Sequence, residues 1–419
     1  MCIFQEMSRT INEIRKLFTE GPIGIYIMAF FIPLNPRMLG IAVAIIIVEQ
    51  LIRSPKINKT HLKAQLSWRN PGIWLLLFYL MHVVGLINTE NMRFANMDLG
   101  MKATLGILPV FFILYKLKVN WNLFVKVFIF GAFVSIVVNF FMSLGVYLKS
   151  PHFYYISGER LSHLMHRGYW AVYMVVAYFF LLKQMIAAQS KMSFWMNLLG
   201  AIVMAVFIEI SGSKVGFIIL FFVTIWAAIS LFKRFKNKWI LPITSVVLVV
   251  GIAAVVILTP SIAKRLDSAI IAVSQPIENY NMEVPESTEA RVMVWHSSID
   301  LIKENFWFGV GTGDIKDELI KRNFENGYSG VAEQTLNSHN QFFNSHIAIG
   351  VFGSLFLLLS LAMNYLKLKP DELRSWRLGI ITILFIALLP ESMMETQAGI
   401  IPYAFFISFL TSFQPKQSA

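Results

Sequence analysis

The chain has 419 residues, of which 56% are hydrophobic and 14% charged, with a mean hydropathy of +0.62; a soluble globular protein carries roughly a quarter charged residues. This composition excludes a compact water-soluble monomer, and the single cysteine, Cys2, excludes an intrachain disulfide framework or a CxxC metal or redox site. The formal charge of +12 would suggest nucleic acid or an acidic partner in a soluble protein, so its meaning depends on where the charges lie.

Residues 1–20 mix charges of both signs and lack the apolar core and cleavage site of a secretory signal. They are read as a retained amphipathic helix at a membrane surface. About twelve apolar segments follow, judged against the roughly 20 residues that cross a bilayer as a helix. They are Ile23–Leu34, Met38–Ile52, Ile73–Ile87, Met101–Leu117, Leu123–Leu148, Gly168–Ala187, Phe194–Ile210, Val215–Phe232, Trp239–Leu258, Gln341–Leu366, Leu378–Leu389 and Ala398–Phe413. The expected fold class is an all-α polytopic membrane protein. Its parts are a cytoplasmic N-terminus (1–20), nine spans (21–258), one large outer loop (259–338), three further spans (339–413) and a cytoplasmic tail (414–419).

Lys and Arg in short loops mark the cytoplasmic side. Arg53, Lys56, Lys59, Lys63 and Arg69 separate spans two and three, Lys116 and Lys118 follow span four, and Lys183 and Lys191 lie around the loop after span six. Lys233, Arg234, Lys236 and Lys238 follow span eight, Lys367, Lys369, Arg374 and Arg377 follow span ten, and Lys416 follows the last. Every second loop is basic, which places both termini in the cytoplasm. The outer loop holds about seven basic and about twelve acidic residues, so the surplus of positive charge is topogenic and nucleic acid drops out as a partner.

The outer loop carries structure of its own. Ser287-Thr288 offers an N-cap, and Val292, Trp295, Ile299 and Ile302 recur at helical spacing up to about Lys303. Gly309, Gly311 and Gly313 then alternate in Phe-Gly-Val-Gly-Thr-Gly, which reads either as a tight turn or as a turn facing sugar or phosphate. A P-loop is a poor reading, because no Lys-Ser/Thr follows. Where the loop meets span ten, His339-Asn340 precedes Gly350-Val-Phe-Gly353 by nine residues. Asn337 or Ser338 is expected to cap the helix and set His339 in its first turn. A histidine at a membrane surface suits general base catalysis, and Gly350 and Gly353 permit close helix packing. His346 reads as a packed polar residue.

This run resembles the His-[Asn/Ser/Gln]-x9-Gly-x-x-Gly signature of the O-antigen ligase and Wzy-type polymerase superfamily, GT-C-like enzymes that move undecaprenyl-pyrophosphate-linked glycans at the outer face of the bacterial inner membrane. Arg291-Val-Met-Val-Trp295 and Phe308-Gly-Val-Gly311 resemble the family's Arg-x-x-x-Trp and Phe-Gly-x-Gly elements, in the same order. Ser211-Gly-Ser-Lys214 stands where family members commonly have Ser-Arg, so Lys214 replaces an arginine; it neutralises phosphate as a point charge without the bidentate fork. Arg265 matches an early-loop arginine by position alone.

The resemblance implies an enzyme that moves polysaccharide from its lipid carrier onto lipid A-core or another glycan acceptor at the periplasmic face, with no cofactor and no metal. His339 would be the base, Arg291, Arg265, Lys214 and Arg167 would bind the donor pyrophosphate, and Asn340, Gly350, Gly353, Glu391 and Glu395 would support them. Glu391 and Glu395 lie in the outer turn between the last spans and can hold an arginine of the site. Arg160 and His163 read more simply as headgroup contacts, and Glu209 is either functional or an orienting partner of Lys214. Polymerisation of lipid-linked repeat units and transfer to protein hydroxyls are alternatives. A flippase or transporter is the rival of another class; it would place ionisable groups and broken helices near the bilayer midplane.

Overall fold

The computed structural model describes residues 22–53, 56–150, 161–235, 267, 270–272, 274–285, 287–367 and 373–415. The expected N-terminal surface helix, the ninth span and Arg265 fall outside these residues. The helices are α1 Ile23–Phe31, α2 Leu39–Arg53, α3 Lys59–Gln65, α4 Pro71–Val84, α5 Met92–Lys102, α6 Thr104–Leu114, α7 Trp121–Lys149, α8 Arg167–Ala187, α9 Lys191–Ile210 and α10 Lys214–Phe235. The large loop expected to lie outside supplies α11 Ser287–Glu304, α12 Ile315–Glu325 and α13 Ser329–Glu333, followed by α14 Gln341–Ile349, α15 Val351–Lys367, α16 Arg374–Leu388 and α17 Gln397–Ser412. The described strands are β1 Lys118–Val119 and β2 Gln414–Pro415, paired in parallel.

Among the described residues, six helical stretches are long and apolar enough to cross a membrane: Pro71–Asn88, Met92–Leu114, Trp121–Lys149, Arg167–Ala187, Lys191–Ile210 and Lys214–Arg234. Val351–Leu366 and Gln397–Ser412 are shorter apolar helices. The chain is therefore a helical, multi-pass membrane protein. A helix that is apolar all round belongs inside a bundle, and α8 and α17 occupy that place. The apolar window of α8 is 78% buried, against 17% for α9, whose outward face carries Trp195, Met196, Leu199 and Ile202. Tyr173 on α8 donates its hydroxyl to the carbonyl of Ala398 on α17, joining the two central helices.

Two expected spans are broken. The predicted Met101–Leu117 is the inner part of a longer path that starts at Met92 and breaks at Ala103 between α5 and α6. Hydropathy misses the first half because Asp98 and Lys102 lie in it; paired with each other at 2.8 Å, they are buried all the same. The predicted Gln341–Leu366 breaks at Gly350, whose φ is +67°. There the turn at 306–311 inserts its own hydrogen bonds: Val310 N–H donates to Ile347 O at 2.8 Å, Gly311 N–H to Ala348 O at 3.1 Å, and Val351 N–H to Phe306 O at 2.8 Å. The carbonyls that a helix end leaves open are thus satisfied by the loop. His346 fastens the same joint, with Nε2 3.1 Å from Phe306 O and Nδ1 3.1 Å from Ser354 Oγ, as a packed polar residue.

Candidate active site

The site is built where several helices begin. Asn340 is the N-cap of α14, its Oδ1 accepting from Phe342 N at 2.9 Å and Phe343 N at 3.1 Å. The sequence-based expectation of Asn337 or Ser338 as cap is corrected here, because both side chains are engaged otherwise. Asn337 Oδ1 accepts from His339 N at 3.0 Å, and Ser338 Oγ bonds Asn340 O at 2.9 Å. His339 consequently stands just before the helix rather than in its first turn, with φ +44°.

In that position His339 Nδ1 lies 3.1 Å from Oε2 of Glu391, in the turn between α16 and α17. The other oxygen of Glu391 pairs with Nη2 of Arg291 on α11. One carboxylate therefore holds both the histidine and the arginine. The side chains of Arg291 and Glu391 are each 18% exposed and that of His339 24%, too sheltered for an ordinary surface ion pair and open enough to meet a substrate. Burial pushes the Glu391 carboxyl up, but the hydrogen bond from His339 and the charges of Arg291, His339 and His166 outweigh it and hold the group below its usual value. An ionised carboxylate only accepts, so the proton on Nδ1 faces Glu391, and Nε2 is the ring nitrogen turned away from it.

The other expected residues gather around this centre to different degrees. Lys214, the first residue of α10, donates to Thr288 Oγ1 at 3.1 Å; Thr288 and Arg291 share a face of α11 at i, i+3 spacing, so Lys214 lies about one helical turn from Arg291. Arg167 opens α8 directly after the N-cap His166, whose charge acts on Glu391. Arg265 lies outside the described residues. Gly350 and Gly353 serve the joint between α14 and α15: a Cβ on Gly350 would meet Trp307 O at 2.1 Å, and one on Gly353 would meet Ser345 O at 2.2 Å. Gly309, Gly311 and Gly313 form the tight turn of the two readings left open, with backbone or side-chain atoms of this chain within 3.0 Å of each would-be Cβ.

Glu395 takes a different partner from the arginine the sequence suggested. Its Oε2 lies 3.6 Å from Lys102 Nζ, and its Oε1 accepts from Gln341 Nε2 at 3.3 Å. Burial raises its pKa and Lys102 pulls it back, with Asp98 adding to the rise. Asp98, Lys102 and Gln341 escaped the sequence reading; the available signal was an Asp-x-x-x-Lys pair, at salt-bridge spacing on one helix face, inside an otherwise apolar stretch. No group of three or more His, Cys, Asp or Glu side chains is placed to hold a metal ion among the described residues.

Residues 199–358 match the O-antigen ligase family model, whose members are glycan-transferring enzymes acting on lipid-linked glycans. The match spans Lys214, Arg291, His339, Asn340, Gly350 and Gly353; Glu391, Glu395, Asp98, Lys102 and Arg167 lie beyond it. The chain matches no curated protein in a sequence comparison.

Proposed function

From an O-antigen ligase domain over residues 199–358, we propose that the chain is a metal-independent, inverting glycosyltransferase of the bacterial inner membrane. It moves undecaprenyl-pyrophosphate-linked polysaccharide onto an acceptor such as lipid A-core at the periplasmic face. The observation that carries this reading is the shared carboxylate of Glu391, which holds His339 and Arg291 together. A base and a phosphate-binding cation side by side are what displacement at a glycosyl pyrophosphate needs.

The acceptor hydroxyl loses its proton to Nε2 of His339 while its oxygen attacks the anomeric carbon from the face opposite the pyrophosphate. The bond from that carbon to the phosphate oxygen breaks, and a single displacement inverts the centre. The imidazolium is then stabilised by Glu391 across Nδ1. Negative charge grows on the departing pyrophosphate, where preorganised cations act most strongly. Arg291 commits Nη2 to Glu391 and keeps its remaining N–H groups for phosphate oxygens. Lys214 and Arg167 complete the clamp as expected from their neighbourhood, with Arg265 as a further candidate. The positive dipole ends of α8 and α10 favour an anion near Arg167 and Lys214.

His339→Ala is expected to lower transfer by roughly 10²- to 10⁴-fold, the usual worth of a general base, and Arg291→Ala to weaken it as well. The measurement is glycan attached to purified acceptor when lipid-linked donor is supplied. Normal transfer by folded His339→Ala protein would sink the assignment. The nine-residue spacing from His339-Asn340 to Gly350-x-x-Gly353 favours ligation; product analysis separates it from polymerisation and from protein glycosylation, since a capped lipid A-core, a longer lipid-linked polymer and a glycoprotein are distinct.

A further inference from the structure

The turn that carries Glu391 runs beside the segment that carries His339, and beyond the histidine itself three links join them. Ser338 Oγ and Ser392 Oγ lie 3.2 Å apart, Gln341 Oε1 accepts from Met394 N at 2.6 Å, and Gln341 Nε2 donates to Glu395 Oε1 at 3.3 Å. The far end of this ladder is bolted to another helix. Lys102 Nζ lies 3.6 Å from Glu395 Oε2 and bonds both oxygens of Asp98 at 2.9 and 2.8 Å. Lys102 and Asp98 are each 1% exposed. Lys102 is the last residue of α5, about 15 Å along the helix from Met92.

Burying a cation between two carboxylates carries a heavy desolvation cost, and well-packed apolar side chains of similar volume often hold a helix in place as firmly. Stability of α5 is therefore a poor reason for these charges. A fixed geometry is a better one, because a lysine held by Asp98 is a directional anchor for Glu395. We infer that Lys102 is a positioning residue: through Glu395 and Gln341 it fixes the depth and register of the 391–395 turn, and with it the placement of Glu391 against His339 and Arg291. The catalytic consequence rests on the transferase reading; the geometric one does not.

The test therefore has a geometric and a kinetic arm. In a Cys2→Ser background, a Ser338→Cys/Ser392→Cys pair replaces two hydroxyls 3.2 Å apart, and its oxidation to a disulfide reports the register of the turn. Lys102→Met is expected to cut the cross-linked fraction roughly threefold in monodisperse protein, since disulfides tolerate little displacement, and Lys102→Arg to restore much of it. Unchanged cross-linking in Lys102→Met overturns the inference. In the kinetic arm, with the serines native, Lys102→Met is expected to lower kcat roughly tenfold in the parent and less than about twofold in a Glu391→Gln background, because residues acting through one constellation are non-additive.

Additive losses would make Lys102 a general structural support and likewise overturn the inference. Should Lys102→Met fail to fold, Glu395→Gln keeps the shape and the Gln341 bond but loses the attraction to Lys102. The same pair of results is expected of it, and the same contrary results decide against the inference. A parent protein that transfers no glycan, while Lys102→Met still loosens the cross-link, would defeat the transferase reading and leave the role of Lys102 standing.

Discussion

Glu391 and Glu395 lie four residues apart in one turn and respond to burial in opposite ways. Glu391 is held below its usual value of 4.5 because the His339 hydrogen bond and the neighbouring positive charges overcome desolvation. Glu395 is held above 4.5 because desolvation and Asp98 overcome Lys102 and Gln341. A depressed carboxylate contributes stability that is fully present above its unfolded value and is lost as pH falls through the folded one. The Glu391 contribution therefore disappears only below about pH 4.5. A raised carboxylate has the reverse sign: the cost of charging Glu395 grows as pH rises from about 4.5 through its folded value. Thermal unfolding in detergent across this range is expected to show a smaller acid loss in Glu391→Gln than in the parent, and in Glu395→Gln a smaller decline on the alkaline side of 4.5. An acid loss identical in Glu391→Gln and the parent would mean that the carboxylate is not held by His339 and Arg291. His339 and both glutamates were legible as candidates from their spacing and their place at the ends of spans, and Arg291 from the resemblance carried by Arg291-x-x-x-Trp295. Their pairing was not, because residues 291, 339 and 391 meet only through the fold. Glu289 stands two residues from Arg291 in sequence, yet the guanidinium pairs with Glu391, a hundred residues on.

Among the elements, the joint between α14 and α15 shows why hydropathy locates a helix better than it locates a helix break. From Gln341 to Leu366 the chain reads as one apolar span, and only Gly350 and Gly353 hint at a change of direction. The break depends on a distant partner: the 306–311 turn supplies the N–H groups that satisfy Ile347 O and Ala348 O and accepts from Val351 N–H. The pair of α5 charges deceived the reading in the same way, since Asp98 and Lys102 are tolerable inside the bundle because each meets the other and Lys102 also meets Glu395. Gly350 is the residue most exposed to test. At φ +67° any side chain is strained, typically by about 1–3 kcal/mol, and a Cβ would also stand 2.1 Å from Trp307 O. Gly350→Ala is expected to lower the thermal midpoint in detergent by several degrees and to lower transfer activity with it, because α14 carries the Asn340 cap beside His339. A variant as stable as the parent would show that the 306–311 turn can move without cost, and would loosen the link between that turn and the site.

For the molecule as a whole, the two ends of the bundle differ in chemistry. The site collects at the start of α8, where His166 caps the helix. At its other end, about 31 Å away at 1.5 Å per residue over 21 residues, Lys183 donates to Ser375 and Arg234 donates to Ala188 O. The two ends of α8 thus stand about a bilayer core apart, with Lys183 and Arg234 towards the end away from the site, and on the expected topology the charge of +12 would report orientation rather than an anionic partner. This separation predicts which surface each loop reaches. With Cys2 replaced by serine, single cysteines at the exposed positions Lys63 and Glu283 provide one probe per side. A membrane-impermeant maleimide applied to cells with a permeable outer membrane is expected to label Glu283→Cys at once, and Lys63→Cys only after the inner membrane is opened. Labelling in the opposite order would turn the protein over. His339 and Arg291 would then face the cytoplasm, away from any periplasmic acceptor, and the constellation around Glu391 would need a substrate presented from the other side.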